Sequence, residues 1–146
     1  MSVSQNPDKY IRKAVFDLVN DLVVISMFPV TIKCFDSRLA SNTNLNEYVL
    51  LTSQTKEIIK ANKCEYRWDT SLLIEIYTKR PSVGNPGSRL LLNDIENAVY
   101  NLLQPSLNIG GYITLTQNIS FETQLETVTS TENIFRSFLR LNLTLI

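Results

Sequence analysis

Carboxylates are the first side chains in this chain to consider for chemistry, and Asp69 and Glu75 fall on the same face of one predicted strand. Two carboxyl groups act together as acid and base only within roughly 10 Å of each other. A strand rises about 3.3 Å per residue, which separates these two carboxylates by roughly 20 Å. The sequence therefore indicates a solvated strand face and no paired acid–base site.

A basic, glycine-containing loop is the second candidate, because glycine lets a backbone approach a phosphate and a helix start attracts anions. The loop and its flanks contain Lys79, Arg80, Gly84, Gly87, Ser88 and Arg89. It lacks the spacing and the lysine of a P-loop, and glycine and proline also end strands, so we predict a structural turn. Arg80 and Arg89 are candidates for pairing with a carboxylate of a neighbouring subunit.

The chain contains no histidine, which excludes Ser-His and Cys-His triads and removes the commonest metal ligand. Its two cysteines, Cys34 and Cys64, are far apart and lack the spacing of metal ligands. Each falls on the apolar side of a predicted strand, so we predict two buried thiols. We therefore expect no enzymatic activity, no bound metal and no cofactor.

The composition describes a globular protein. A length of 146 residues suits one domain, residues 1–146, with a single core. The formal net charge is zero, so no overall field attracts DNA or anionic lipid. No stretch approaches the ~20 apolar residues of a membrane span, and the first residues show no apolar leader. We expect a protein that stays in the cytoplasm or is assembled there into a larger particle.

Hydrophobic periodicity predicts an α+β domain in the order α-β-β-β-α-β-β, with a mixed or antiparallel sheet of long strands and two helices on one face. The first helix is predicted from Asn6-Pro7 to near Ser26, with Arg12 and Lys13 on its polar side. It is followed by a strand at Val30–Phe35 and a Ser/Asn-rich loop at Asp36–Asn46. A second strand at Glu47–Ser53 and a polar connection at Gln54–Asn62 complete the first half.

An alternating strand from Lys63 to Lys79 dominates the centre of the sequence. Its predicted buried face carries Tyr66, Trp68, Leu72, Ile74 and Ile76, packed against both helices. Most strands have only about five or six residues. We therefore predict that this strand extends beyond one compact core and belongs to a larger assembly.

The second half of the chain follows the same logic. A helix capped by Ser88 comes first, and its apolar stripe consists of Leu92, Ile95, Val99 and Leu102. The next strand has one apolar face, which Gln117 interrupts and which consists of Ile113, Leu115, Ile119, Phe121 and Leu125. A polar hairpin tip at Glu126–Asn133 leads to the last strand, which has on one face Phe135, Leu139, Leu141, Leu143 and Leu145.

A few apolar side chains fall on the charged faces of these strands. Exposed aromatic residues among charges are typical of subunit interfaces, although a few exposed apolar residues are also ordinary on any surface. The predicted interface residues are Leu73, Tyr77, Arg80, Arg89, Glu126, Arg136, Phe138 and Arg140, with Glu122 or Glu126 as acidic partners of the last arginines across the contact.

Three stretches also carry a resemblance to a known family: WDTSLLIEIYTKRP, GSRLLLNDIENAVYNLL and NIFRSFLRLNLTLI. The last one places Ile134, Arg136, Arg140 and Leu143 in an I-x-R-x-x-x-R-x-x-L arrangement. Together they resemble the tail-terminator, or tail-completion, proteins of tailed bacteriophages. The resemblance covers the chain from about Tyr10 to its end.

The resemblance implies a structural virion protein that forms a closed ring of roughly six or twelve copies in the phage neck or tail. Its implied partners are further copies of itself and the adjacent neck, connector or tail-tube proteins. DNA would only pass through the channel, and no membrane is involved. The implied location is the virion, with assembly in the cytoplasm of the host bacterium.

The residues also leave a second function open. A cytoplasmic binding module would use the polar face of the sheet for a small ligand or a nucleic acid. The two functions differ in a simple property, since a ring subunit associates with itself or with a partner ring at micromolar concentration.

Overall fold

The computed structural model describes residues 6–26, 28–38, 45–62, 65–81 and 89–146. These residues form α1 (Asp8–Val19), β1 (Leu22–Ile25), β2 (Pro29–Asp36), β3 (Glu47–Asn62), β4 (Glu65–Pro81), α2 (Arg89–Leu103), β5 (Thr114–Phe121), β6 (Leu125–Val128) and β7 (Glu132–Leu145). The predicted α+β class is confirmed, with two helices and a seven-stranded mixed sheet.

Three long strands form the middle of the sheet. Its strand order is β1-β2-β3-β4-β7-β5, and β6 also pairs with β7. The pair β2–β3 is parallel, and the other neighbouring pairs are antiparallel. Strands β5 and β6 follow one another along the same side of β7, because β5 pairs with residues 139–145 and β6 with residues 133–136.

The core lies between the helices and one face of the sheet. Helix α1 packs on β2 and β3, while α2 packs on β4 and β7. Along β7 every second residue is buried, including the predicted Phe135, Leu139, Leu141, Leu143 and Leu145. Trp68 on β4 is only 5% exposed, which confirms the predicted inward face. The opposite face of the sheet carries neither helix, and we call it the helix-free face.

The prediction that the first helix reaches Ser26 is wrong, because α1 ends at Val19. Asp21 has a φ of 63°, a left-handed conformation that reverses the chain there. Asn20 stabilises the reversal by accepting a hydrogen bond from the Cys34 backbone N–H at 3.1 Å. The β-branched residues that follow then pair with β2 as β1, which satisfies their strand preference better than a helix does.

The predicted polar connection at Gln54–Asn62 is also wrong, because this segment is the second half of β3. It pairs with β4 from Gln54 opposite Leu72 to Asn62 opposite Glu65. A register shift between Leu51 and Gln54 breaks the alternation of the strand, which conceals it in the sequence. The long antiparallel ladder outweighs the polar composition of the segment.

Several smaller boundaries differ from the predictions. In α2 the buried stripe ends on Leu103, and Leu102 is half-buried. The predicted hairpin tip at Glu126–Asn133 is shorter in the structure, where only Thr129–Thr131 lie between β6 and β7. Cys64, the cap Ser88, and most of the loops at 36–46 and 80–88 lie outside the described residues.

Candidate functional site

The structure shows no constellation for catalysis among the residues it describes. No three His, Cys, Asp or Glu side chains of this set lie close enough to hold a metal ion. Burial raises the pKa of the Cys34 thiol to about 12, and the nearby Asp36 carboxylate adds to the rise. A thiol that stays protonated is a poor nucleophile.

The predicted interface residues fall into two groups on opposite sides of the sheet. Leu73, Tyr77, Arg136, Phe138 and Arg140 share the helix-free face of β4 and β7. The strand register places Leu73 opposite Arg140 and Tyr77 opposite Arg136. These five side chains form one continuous patch because β4 and β7 are neighbours.

An aromatic pair lies beside this patch. Tyr48 of β3 stacks on Tyr77, with ring centroids 4.9 Å apart and an angle of 11° between the planes. The Lys79 Nζ lies 5.2 Å from the Tyr48 ring centroid. The Tyr77 hydroxyl donates to Glu75 Oε1 at 3.1 Å. Burial raises the pKa of both tyrosines, so both hydroxyls are neutral at physiological pH.

Sequence reasoning missed Tyr48, although a signal for it exists. Tyr48 is 4% exposed, even though it points to the helix-free face. Its position follows from alternation, because its neighbours Val49 and Leu51 are the inward residues of β3. A tyrosine directly before an inward residue belongs to the other face, next to whatever the paired strand presents there.

Arg80, Arg89 and Glu126 lie on the other side, with the helices. Arg80 pairs with Glu47 at 2.6 Å, and Arg89 pairs with Glu126 at 3.7 Å. On the helix-free face Arg140 pairs with Glu122 at 3.5 Å. Each of these three arginines therefore has a carboxylate partner within its own chain. The ion pairs predicted between subunits stay a prediction, and they would compete with these internal pairs.

The charges of the helix-free face offer little to a nucleic acid. Among the residues of β3, β4 and β7 whose side chains the structure describes, this face carries four basic residues, Arg67, Lys79, Arg136 and Arg140, and four acidic ones, Glu57, Asp69, Glu75 and Glu132. Affinity for a phosphate backbone requires a surplus of basic groups. This balance gives no support to the nucleic-acid alternative.

A shallow polar depression of about 440 Å³ lies at the far end of the same face. Its side chains bond chiefly with one another. Thr55 and Ser71 share a hydrogen bond of 2.5 Å, and Thr144 donates to Asp69 Oδ1 at 3.1 Å. Asn142 donates to Asn118 Oδ1 at 3.0 Å. Polar groups that already satisfy each other gain little from a ligand.

Exposed apolar side chains concentrate at two margins of the sheet. Twelve large apolar residues of the described chain are exposed, and eight of them lie on or beside its outermost strands. We call the first margin the β1 edge, and its exposed apolar residues are Val23, Ile25 and Phe28. We call the second margin the β6 edge. Its exposed apolar residues are Leu125 and Val128 on β6, and Ile113, Leu115 and Phe121 on or just before β5.

The free side of β3 behaves differently. Beyond Leu51, β3 has no described neighbour on the side away from β4. This part of β3 contains Lys56 and Glu57, and charged residues of this kind protect an open strand from pairing. Strand β1 has no charged residue, and β6 has only Glu126. The β1 and β6 edges are therefore the margins that lack this protection.

No protein-family model matches this chain, and no curated protein is similar to it in sequence.

The helices add one further fact. The longest described helix, α2, has 15 residues, and no described helix is long and apolar enough to cross a membrane.

Proposed function

We propose that this protein is a structural subunit of a closed ring in the neck or tail of a tailed bacteriophage, as a tail terminator or head–tail joining ring. The observation that carries this proposal is the concentration of exposed apolar side chains at the two outer margins of one sheet. Scattered exposed apolar residues are ordinary, but apolar residues grouped on unpaired strands favour association.

A ring accounts for the two margins better than a simple dimer does. One margin is formed by β1 and the other by β6 together with β5, so the two margins are different surfaces. A twofold dimer through one of them leaves the other uncovered on both copies. A head-to-tail contact covers both margins on every copy, and such contacts generate a ring when the rotation closes.

The absence of a catalytic constellation among the described residues agrees with a structural role, and so do the overlong central strands. Strands β3 and β4 have 16 and 17 residues. These are the features that, with the three resembling stretches, favour a neck or tail ring over a binding module. In the proposed assembly the neighbours along the axis are connector or tail-tube proteins, and DNA passes through the channel.

Sedimentation velocity and negative-stain microscopy of the purified protein test the proposal. We expect a ring with a mass of roughly six or twelve times 16.7 kDa at micromolar concentration. Quantitative mass spectrometry of purified phage particles should find the protein in a matching number of copies. A protein that is monomeric in solution and absent from particles, or present in a single copy, would overturn the proposal.

A further inference from the structure

We infer that the contact between neighbouring copies is a parallel pairing of β1 of one subunit with β6 of the next, which joins the sheets edge to edge. This inference rests on the proposed ring and specifies the strands that form its contact. The partner that we infer for each edge is a second copy of this chain. Among the described residues, both edges are strands without a partner on their outer side, so each can provide the strand that the other needs.

The two strands match in length and in exposure. Strands β1 and β6 each have four residues. All four residues of β6 are exposed, whereas β5 is partly covered, with Gln117 and Ile119 half-buried. On β1 only Val24 is buried, and Val23 and Ile25 point away from the core. In the described part of the chain, both strands along β7 have an open outer side, and β6 is the one whose four residues are all exposed.

Strand direction decides that the pairing is parallel. Strand β1 is antiparallel to β2, and β2 is parallel to β3. Strands β4, β7 and β6 then reverse direction one after another. Counted across the sheet, β1 and β6 run the same way. Rotation about a ring axis preserves strand direction, so a sheet continued around that axis brings them together in parallel.

The side chains on the two strands fit this arrangement. Val23 and Ile25 lie on the helix-free face, because their neighbour Val24 is the buried residue of β1. Leu125 pairs with Arg136 and Thr127 with Ile134, so both are on the same face of β6. Continuing the sheet with its faces aligned places Val23 beside Leu125 and Ile25 beside Thr127. Each contact puts a β-branched residue against an apolar or β-branched partner.

The pairing would also remove a hazard of the single chain. The outer N–H and C=O groups of β1 and β6 have no partner strand among the described residues. Unpaired groups on a strand invite association, and hydrogen bonding between two such strands satisfies both sets at once. The chain thus needs no further protein to cover either edge.

A mixing experiment with two edge variants tests the inference. Lysine on an edge strand opposes pairing, so Val23→Lys blocks the β1 edge and Leu125→Lys blocks the β6 edge. We expect each variant alone to be a folded monomer by sedimentation and circular dichroism. In an equimolar mixture, the open β6 edge of the Val23→Lys protein should pair with the open β1 edge of the Leu125→Lys protein. The resulting dimer should grow no further, because its two outer edges carry the lysines. Leu90→Lys, at an exposed apolar residue of α2, is the matched control and should still assemble like the wild type.

Disulfide formation provides the second readout, in a chain with Cys64→Ser. Val23→Cys with Leu125→Cys in the same chain should give a ladder of linked oligomers under mild oxidation, and each single variant should give none. Linked dimers from a single variant would show a contact between two identical edges and overturn the inference. If either lysine variant alone still forms rings of the wild-type size, the inference is overturned and the proposed function stays intact. A wild-type protein that never associates would remove both.

Discussion

Arg12 of α1 donates a hydrogen bond to the backbone carbonyl of Leu51 in β3, over 2.9 Å. The same guanidinium bonds to the Thr52 carbonyl, to Gln54 Oε1 at 2.9 Å and to the Asp36 carboxylate. These groups surround the register shift between Leu51 and Gln54, where β3 leaves its regular pairing with β4. One side chain of the helix therefore bonds to both carbonyls beside the shift, and the Leu51 carbonyl also accepts from the Ser37 N–H at 2.8 Å.

Replacing this guanidinium should destabilise the whole sheet. Arg12→Met keeps most of the aliphatic stem but removes the charged donor from the Leu51 and Thr52 carbonyls, of which Leu51 still accepts from the Ser37 N–H. We expect the free energy of unfolding to fall by about 1.5–3 kcal/mol, the range for hydrogen bonds to charged groups. Urea denaturation at neutral pH measures it. Lys13→Met is the matched control, because the adjacent Lys13 makes only an exposed pair with Asp17, worth about 0.3–0.5 kcal/mol. Equal losses in the two variants would contradict the assigned role of Arg12.

Gln117 of β5 should act as the cap of α2. Its Nε2 donates to the Leu103 carbonyl at 2.5 Å and to the Pro105 carbonyl at 2.7 Å, and its Oε1 accepts from the Leu107 N–H at 3.0 Å. We expect Gln117→Ala to lower the free energy of unfolding by about 1–3 kcal/mol, since it leaves these groups unpaired.

A second variant at this position separates capping from packing. Gln117→Glu keeps the size but loses the donor and places a negative charge beside the carbonyl end of α2, where the helix dipole disfavours it. We expect Gln117→Glu to lose at least as much stability as Gln117→Ala in urea denaturation. Thr116→Ala, at the exposed neighbouring residue, should change the stability little. A Gln117→Glu protein as stable as the wild type would refute the capping role.

Trp68 should be a principal contributor to the core. Its side chain is almost fully buried on the helix side of β4. Truncation of a buried tryptophan to alanine typically costs about 3–5 kcal/mol, and we expect Trp68→Ala to fall in that range. Ile58 stands opposite Trp68 on β3 and is half exposed, so Ile58→Ala should cost much less. Thermal and urea unfolding of both variants would check the difference, and a small loss for Trp68→Ala would contradict the assigned core.

Cys34 should be inert in the folded protein. With its pKa raised to about 12, chiefly by burial, the thiol stays protonated at pH 8. In a Cys64→Ser background we expect a thiol reagent to label Cys34 only after denaturant is added. Rapid labelling of the folded protein at pH 8 would contradict the burial of this side chain.

The same thiol should make stability depend on alkaline pH. The unfolded thiol loses its proton near its ordinary pKa of 9.0, whereas the folded thiol keeps it to about 12. Between these values the unfolded state binds fewer protons, so the free energy of unfolding falls as the pH rises. Cys34→Ala removes this contribution. The stability difference between wild type and variant should therefore shrink from pH 9 upward, as urea denaturation at several pH values would show.

Much of the fold could be predicted from local pattern. The alternation along β4 and β7 predicts which side chains point inward, because successive residues of a strand face opposite sides. The inward position of Trp68 and the buried leucines of the last strand follow from that rule alone. The patch formed by Leu73, Tyr77 and Phe138 follows from it as well, once the two strands are neighbours.

The failures have physical causes in contacts between distant residues. Leu22 and Ile25 fit a helical stripe as well as a strand, and only pairing with β2 decides between the two. The polar segment after Ser53 forms a strand because β4 lies beside it and Arg12 stabilises the shift that precedes it. Gln117 seemed to interrupt an apolar face, yet it caps a helix that ends 14 residues earlier in the chain.

The sequence by itself determined the class of fold, the inward faces of the long strands and the expectation of a protein without a catalytic site. The reason is that periodicity and composition are local properties, which each segment carries before it folds. Only the tertiary structure decided which strands end the sheet, that β1 and β6 run the same way, and that their apolar residues remain open. Those properties depend on strand order and direction, which arise when distant segments pair and which no single segment encodes.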